Sequence, residues 1–183
     1  MADRNAEARK GFETAYRGAL AEHPGSLLTL LSSCRRFNVA ISPNPDDAQW
    51  RRDFVAAAEA FHKEPKLRPE DEPFAMDRLM ATPVENITVR SADEFLRIFQ
   101  NSQLPEWMRL TLTGSLQIKI AWKLRGSGYA NTVTAEGWSG FEKHLGLARE
   151  ALTKAWKLRP DVPFAANEMI TVSMAGHAGP GET

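Results

Sequence analysis

One cysteine, Cys34, among 183 residues leaves no route to an internal disulfide. It falls within the apolar pattern of Leu27, Leu28, Leu30 and Leu31, the setting of a small buried thiol, and the expected compartment is the reducing cytoplasm. Long hydrophobic runs are missing too. The longest fall far short of the roughly 20 apolar residues a membrane helix needs, so no membrane association is expected. The opening Met1-Ala-Asp-Arg-Asn-Ala-Glu7 is too charged for a secretory leader, and the sequon Asn86-Ile-Thr88 has no meaning without secretion. Nor is there net charge. Lysine and arginine number 23, aspartate and glutamate 23, so no global field draws the chain to phosphate backbones, and nucleic acid is not an expected partner.

What the chain does have is 43% hydrophobic residues, enough to bury a core without metal or cofactor. It also carries a repeat. Lys66-Leu-Arg-Pro-Glu-Asp-Glu-Pro-Phe-Ala75 and Lys157-Leu-Arg-Pro-Asp-Val-Pro-Phe-Ala165 each close an alanine-rich helical stretch. Carried upstream, their register pairs Trp50 with Phe141, Phe54 with Leu145, Ala57 with Ala148 and Phe61 with Leu152. Spacings of four and three put each set on one helix stripe, the alanine permitting close approach of a neighbour. Past the proline the register slips by one residue, as a loop between helices tolerates. A repeated helix-to-helix corner is the mark of an α-solenoid.

Punctuation divides the chain into eight helices. The first carries Phe12, Tyr16, Ala19 and Leu20 and stops before Pro24-Gly25; Ser26 caps the second, which Ser42-Pro-Asn-Pro45 ends. The third runs from Asp46 or Asp47 to about Lys63, and a short fourth follows the acidic cap Glu70-Asp-Glu72 to about Met80. A brief extended piece, Asn86-Ile-Thr-Val89, precedes the capping box Ser91-Ala-Asp-Glu94 of the fifth. The sixth runs from Pro105 to Arg125 with Gly126 to close it. Its apolar residues surround much of its circumference, which predicts a central position, and Gly114 allows one close crossing. Thr134 caps the seventh, and Asp161 or Pro163 starts the eighth, which carries Met169, Ile170 and Val172 without a following partner, so weak self-association through this C-terminal helix is expected.

Ala148, Leu152, Ala155 and Pro160 match the second-helix pattern of a tetratricopeptide repeat, and Ala57, Phe61 and Pro69 match it with Glu64 at the third small position. The run Ala121-Trp-Lys-Leu-Arg-Gly-Ser-Gly-Tyr-Ala-Asn-Thr-Val133, with Trp138, Phe141 and Ala151-Leu-Thr-Lys-Ala-Trp-Lys-Leu-Arg-Pro160, resembles more specifically an uncharacterised bacterial family with a tetratricopeptide-like domain. The standard repeat has about 34 residues and a short inter-helix turn. Here the linker is long, and groove residues do not carry over. The resemblance, over about residues 46–174, implies an all-α fold of antiparallel helical hairpins stacked as a right-handed solenoid. It also implies protein binding. Length and composition give the expected organisation: one domain over residues 1–174, the repeat match weaker in 1–45, and a flexible glycine-rich tail at 175–183.

Chemistry has few footholds. The glycines of Arg125-Gly-Ser-Gly-Tyr129 follow a helix, whose end repels anions, so no phosphate loop is expected. Glu59 and His62 have the spacing of a carboxylate-bridged metal pair, but no second pair exists; no metal site is expected, and the histidines are assigned to the surface. The tryptophans at 50, 107, 122, 138 and 156 are expected mostly in helix packing, and an exposed one would change that expectation. The expected role is a noncatalytic protein-interaction or scaffold module binding a protein or peptide. The alternative is a small-ligand or enzymatic helical domain whose pocket gathers Trp122, Arg125, Tyr129, Asn131 and Trp138 around the 126–133 loop.

Overall fold

The structure, a computed structural model, describes residues 2–38, 47–65, 67–80 and 89–175. Among them every regular element is helical: α1 (Ala2–Glu22), α2 (Leu27–Asn38), α3 (Asp47–Lys63), α4 (Glu72–Met80), α5 (Val89–Gln100), α6 (Glu106–Arg125), α7 (Ala135–Leu158) and α8 (Phe164–Ala175), with 3-10 turns at Pro69–Asp71 and Ala130–Thr132. The chain divides into two compact units, Met1–Asn86 with Asn101–Gln103, and Ile87–Gln100 with Leu104–Thr183.

In the first unit α2 packs against both α1 and α3. The α1–α2 corner forms because Gly25 takes a positive φ of 74°, which a side chain would disfavour. Ser26 caps α2, its Oγ accepting from the Thr29 N–H at 3.2 Å. The buried Thr29 hydroxyl then reaches the carbonyls of Ala19 at 3.0 Å and His23 at 2.6 Å, adding to the bonds they accept from the His23 and Ser26 N–H groups and tying the two helices together. Trp50, Phe54, Ala57 and Phe61 are all buried along α3, as are Ala75, Met76 and Leu79 along α4.

In the second unit α6 packs against α5, α7 and α8, which accounts for apolar residues on all its sides. Its contact with α7 is the most extensive. Gly126 closes α6 with a φ of 78°, its N–H bonded to the Trp122 carbonyl, and the Thr134 hydroxyl caps α7 by accepting from the Gly137 N–H at 3.1 Å. The two helices run antiparallel. Gly114 lies against Leu152 and Gly140 against Leu124, so the absence of two side chains draws the backbones together. Phe141, Leu145, Ala148 and Leu152 are buried, with Ala165 and Val172 of α8 in the same core.

Both Leu-Arg-Pro corners turn in the same way. The Arg68 carbonyl accepts from the Asp71 N–H at 2.9 Å and the Arg159 carbonyl from the Val162 N–H at 3.3 Å, with proline second in each turn, where its fixed φ fits. Each arginine grips an aspartate with two nitrogens: Arg68 holds Asp71 at 2.8 and 3.2 Å, and Arg159 holds Asp161 at 2.8 Å twice. The partner is three residues on in one copy and two in the other, which is the register slip seen in the sequence. Beyond the turn the copies differ, since the first tightens into 3-10 geometry that runs straight into α4.

Three expectations need adjustment. The fifth helix opens at Val89, two residues ahead of the expected cap at Ser91, so Val89 is helical rather than extended; the rest of that piece, and the tail beyond Ala175, lie outside the described residues. In α8, Val172 is fully buried and Met169 packs against the core, leaving Ile170 and Met174 exposed. His62 is interior, not on the surface: it is 3% exposed because residues 101–103 cover it.

Candidate functional site

A groove of about 590 Å³ lies in the first unit, between α1 and the start of α3. Buried Tyr16 and Trp50 form its floor, and Leu20 adds an apolar wall. Its rim is charged. The Arg9 guanidinium lies over the Trp50 ring at 4.9 Å, Arg17 pairs with Glu13 at 2.7 Å, and Gln49 donates to Asp53 at 2.7 Å. Lys10 completes the basic edge. Sequence periodicity marks only the apolar stripe of α1. The signal for the groove is the polar flank beside it: Arg9, Glu13 and Arg17 are four apart, so they line up on one side of the helix next to Tyr16.

Of the five residues grouped around the 126–133 loop, three meet. The Arg125 guanidinium sits 5.5 Å from the Trp122 ring and 5.1 Å from the Trp138 ring, and both indoles meet Phe141 edge-on at 5.0 and 5.7 Å. Arg125 donates through Nη1 to the carbonyls of Gly126 and Gly128 at 3.2 and 3.1 Å, so it ties the loop down, while its buried Nε has no partner. Tyr129 is 86% exposed and Asn131 is also exposed, the backbone between them forming a 3-10 turn closed by the Thr132 hydroxyl on the Tyr129 carbonyl. The loop thus satisfies its own polar groups. Further along α7 a cleft of about 290 Å³ runs past Trp138, Leu145 and Arg149 to Ala175 at the end of α8.

Titratable groups in the interior are few. His62 Nδ1 lies 2.8 Å from Ser102 Oγ, and its carbonyl accepts from the Gln103 N–H at 2.7 Å. Burial lowers its pKa to about 4, so the ring is neutral at pH 7. Glu59, its candidate metal partner, is exposed. His144 Nδ1 lies 2.5 Å from Gln117 Oε1, its pKa lowered by partial burial and by Lys143. Burial likewise raises the Glu168 carboxyl, against the pull of Lys119. Among the described residues no group of three histidine, cysteine, aspartate or glutamate side chains is placed to hold a metal ion, and no helix is long and apolar enough to cross a membrane.

Among the described residues the fold is all-α, every regular element being a helix. Comparison with protein-family models, curated proteins and solved structures finds no match to this chain.

Proposed function

We propose that the chain is a noncatalytic protein-interaction module of tetratricopeptide-like type, taking an extended or helical segment of a partner into the groove between α1 and α3. The observation that carries this reading is the groove itself: two buried aromatic rings under a charged, solvent-facing rim. Such a site offers apolar burial for affinity and charges for orientation, the two requirements of segment recognition. It brings together no nucleophile and base of the kind covalent chemistry needs. The recurrence of one corner with one turn and one arginine fork supports the repeat character that this class implies.

The second reading, a small-ligand site at the 126–133 loop, draws on the Arg125 guanidinium between Trp122 and Trp138. Two of that guanidinium's donor contacts already serve the loop backbone, and Tyr129 and Asn131 stand in solvent. The groove is therefore preferred.

A photo-crosslinking residue at Gln49, inside the groove, tests this against the same residue at Glu59, exposed on α3 and outside the groove lining. Discrete polypeptide adducts in host cells from Gln49 alone are expected, and their loss on Trp50→Ala. Equal adduct patterns from both positions, or none from either, would overturn the reading.

A further inference from the structure

Two exposed aromatic side chains on different helices sit in surroundings of opposite charge. Phe74, on α4, is 63% exposed, with only the Arg78 guanidinium over its ring at 5.6 Å. Its counterpart after the second corner is Phe164, since Pro73-Phe74-Ala75 matches Pro163-Phe164-Ala165 and both alanines are buried. Phe164 is covered. It stacks on Trp107 at 6.3 Å with the planes 24° apart, and Trp107 in turn lies beneath the Arg159 guanidinium at 5.3 Å. Phe74 is the same position without its tryptophan. Residues 68–78 carry four carboxylates (Glu70, Asp71, Glu72, Asp77) against two guanidiniums; Arg68 pairs with Glu70 and Asp71, and Arg78 with Asp77, so the ring stands among a net excess of two negative charges.

Trp156 is the complement. It is 49% exposed on α7 and, alone among the five tryptophans, has no ring or cation contact among the described residues. Residues 149–159 carry Arg149, Lys154, Lys157 and Arg159 against a single carboxylate, Glu150. Lys154 is spent on that carboxylate at 2.7 Å and Arg159 on Asp161, which leaves Arg149, two turns back on the Trp156 side of the helix, and Lys157 for an outside partner.

We infer that this chain associates with itself head to tail: Trp156 of one copy stacks on Phe74 of the next, as Trp107 stacks on Phe164 within one copy, and Arg149 and Lys157 face the carboxylates around Phe74. Charge complementarity selects a second copy as the occupant, because the acidic surround of Phe74 and the basic surround of Trp156 occur in the same chain. The two patches are different surfaces, so the contact is heterologous and leaves one of each free at the ends of any open assembly. Neither patch belongs to the partner-binding groove, whose lining comes from α1 and α3.

Sedimentation velocity on the full chain tests it, at low and high salt and up to about 1 mM, the weak end of specific association. Wild type should associate with rising concentration, at least tenfold less tightly at high salt. Phe74→Ser and Trp156→Ser should each be monomeric over the same range with unchanged helix content, both positions being exposed. Mixed, they should form a dimer that grows no further, since each variant keeps the patch the other lacks. Monomeric wild type, association that survives either substitution, or a mixture that stays monomeric would each overturn the inference. Association abolished by Ile170→Ser and indifferent to Phe74→Ser would also overturn it, moving the contact to α8.

Discussion

A methyl group on Gly114 would stand 2.5 Å from the Cγ of Leu152, closer than any real side chain tolerates. Leu152 is fully buried and has no space to retreat into. Gly114→Ala should therefore destabilise the second unit by about 1–3 kcal/mol through overpacking, despite the better helix propensity of alanine. Gly146 lies in α7 with nothing within 4 Å of its missing Cβ. There Gly→Ala should stabilise by about 0.5–1 kcal/mol. Urea titration of the two variants checks the opposite signs, and equal effects would remove the close crossing from the fold.

Much of this architecture is legible in local signals. Pro24-Gly25, Ser26, Thr134 and Gly126 act within a few residues of themselves, so each helix end they govern falls where their chemistry places it. The apolar residues on all sides of α6 announce burial by several neighbours. What is illegible depends on distant parts of the chain. His62 lies outside the stripe of Trp50, Phe54, Ala57 and Phe61, and residues 101–103, some forty positions along the chain, bond to it in the interior. Arg125 and Tyr129 look alike as loop residues near tryptophans, yet two carbonyl acceptors hold the first inward and nothing holds the second. The groove escapes the sequence pattern because it belongs to a polar helix flank, which period analysis assigns to solvent.

The tryptophans should separate cleanly in fluorescence quenching. Trp50, Trp107 and Trp138 are buried, whereas Trp122 and Trp156 are 40% and 49% exposed. Iodide should quench part of the emission of the native chain and leave the rest. In a Trp122→Phe, Trp156→Phe double variant, the remaining emission should shift to shorter wavelength and resist iodide. An accessible fraction as large as that of the wild type would contradict the burial of the other three.

The second corner should show a fixed order of sensitivity. Trp107 is buried and stacked on Phe164, so Trp107→Ala removes a large ring from the core and should cost about 3–5 kcal/mol. Arg159→Ala loses the guanidinium over that ring, worth about 0.5–1 kcal/mol at an exposed site. Asp161→Asn should have the smallest effect, because the carboxylate is exposed to solvent even though Arg159 holds its pKa low. Arg159→Lys should behave like Arg159→Ala, since an ammonium restores neither the two-nitrogen grip nor the flat face. Thermal unfolding of the four variants ranks them; an Asp161→Asn loss equal to that of Trp107→Ala would reverse the assignment.

His62 should make the first unit sensitive to mild acid. Its ring titrates near 6.5 when the chain is unfolded and at about 4 when folded, because burial disfavours the charged form. Between those values the unfolded state binds the proton and the folded state does not, so stability is complete above pH 6.5 and declines as pH falls toward 4. The shift corresponds to about 3 kcal/mol over that window. His144 shifts in the same direction and the Glu168 carboxyl in the opposite one, so the wild-type profile mixes all three. His62→Asn isolates the contribution: it removes the titration while keeping a side-chain amide near Ser102 Oγ. Stability measured by urea unfolding from pH 7.5 to 4.5 should fall more steeply for wild type than for His62→Asn. Parallel profiles would mean that His62 does not enter the folded interior as a neutral ring.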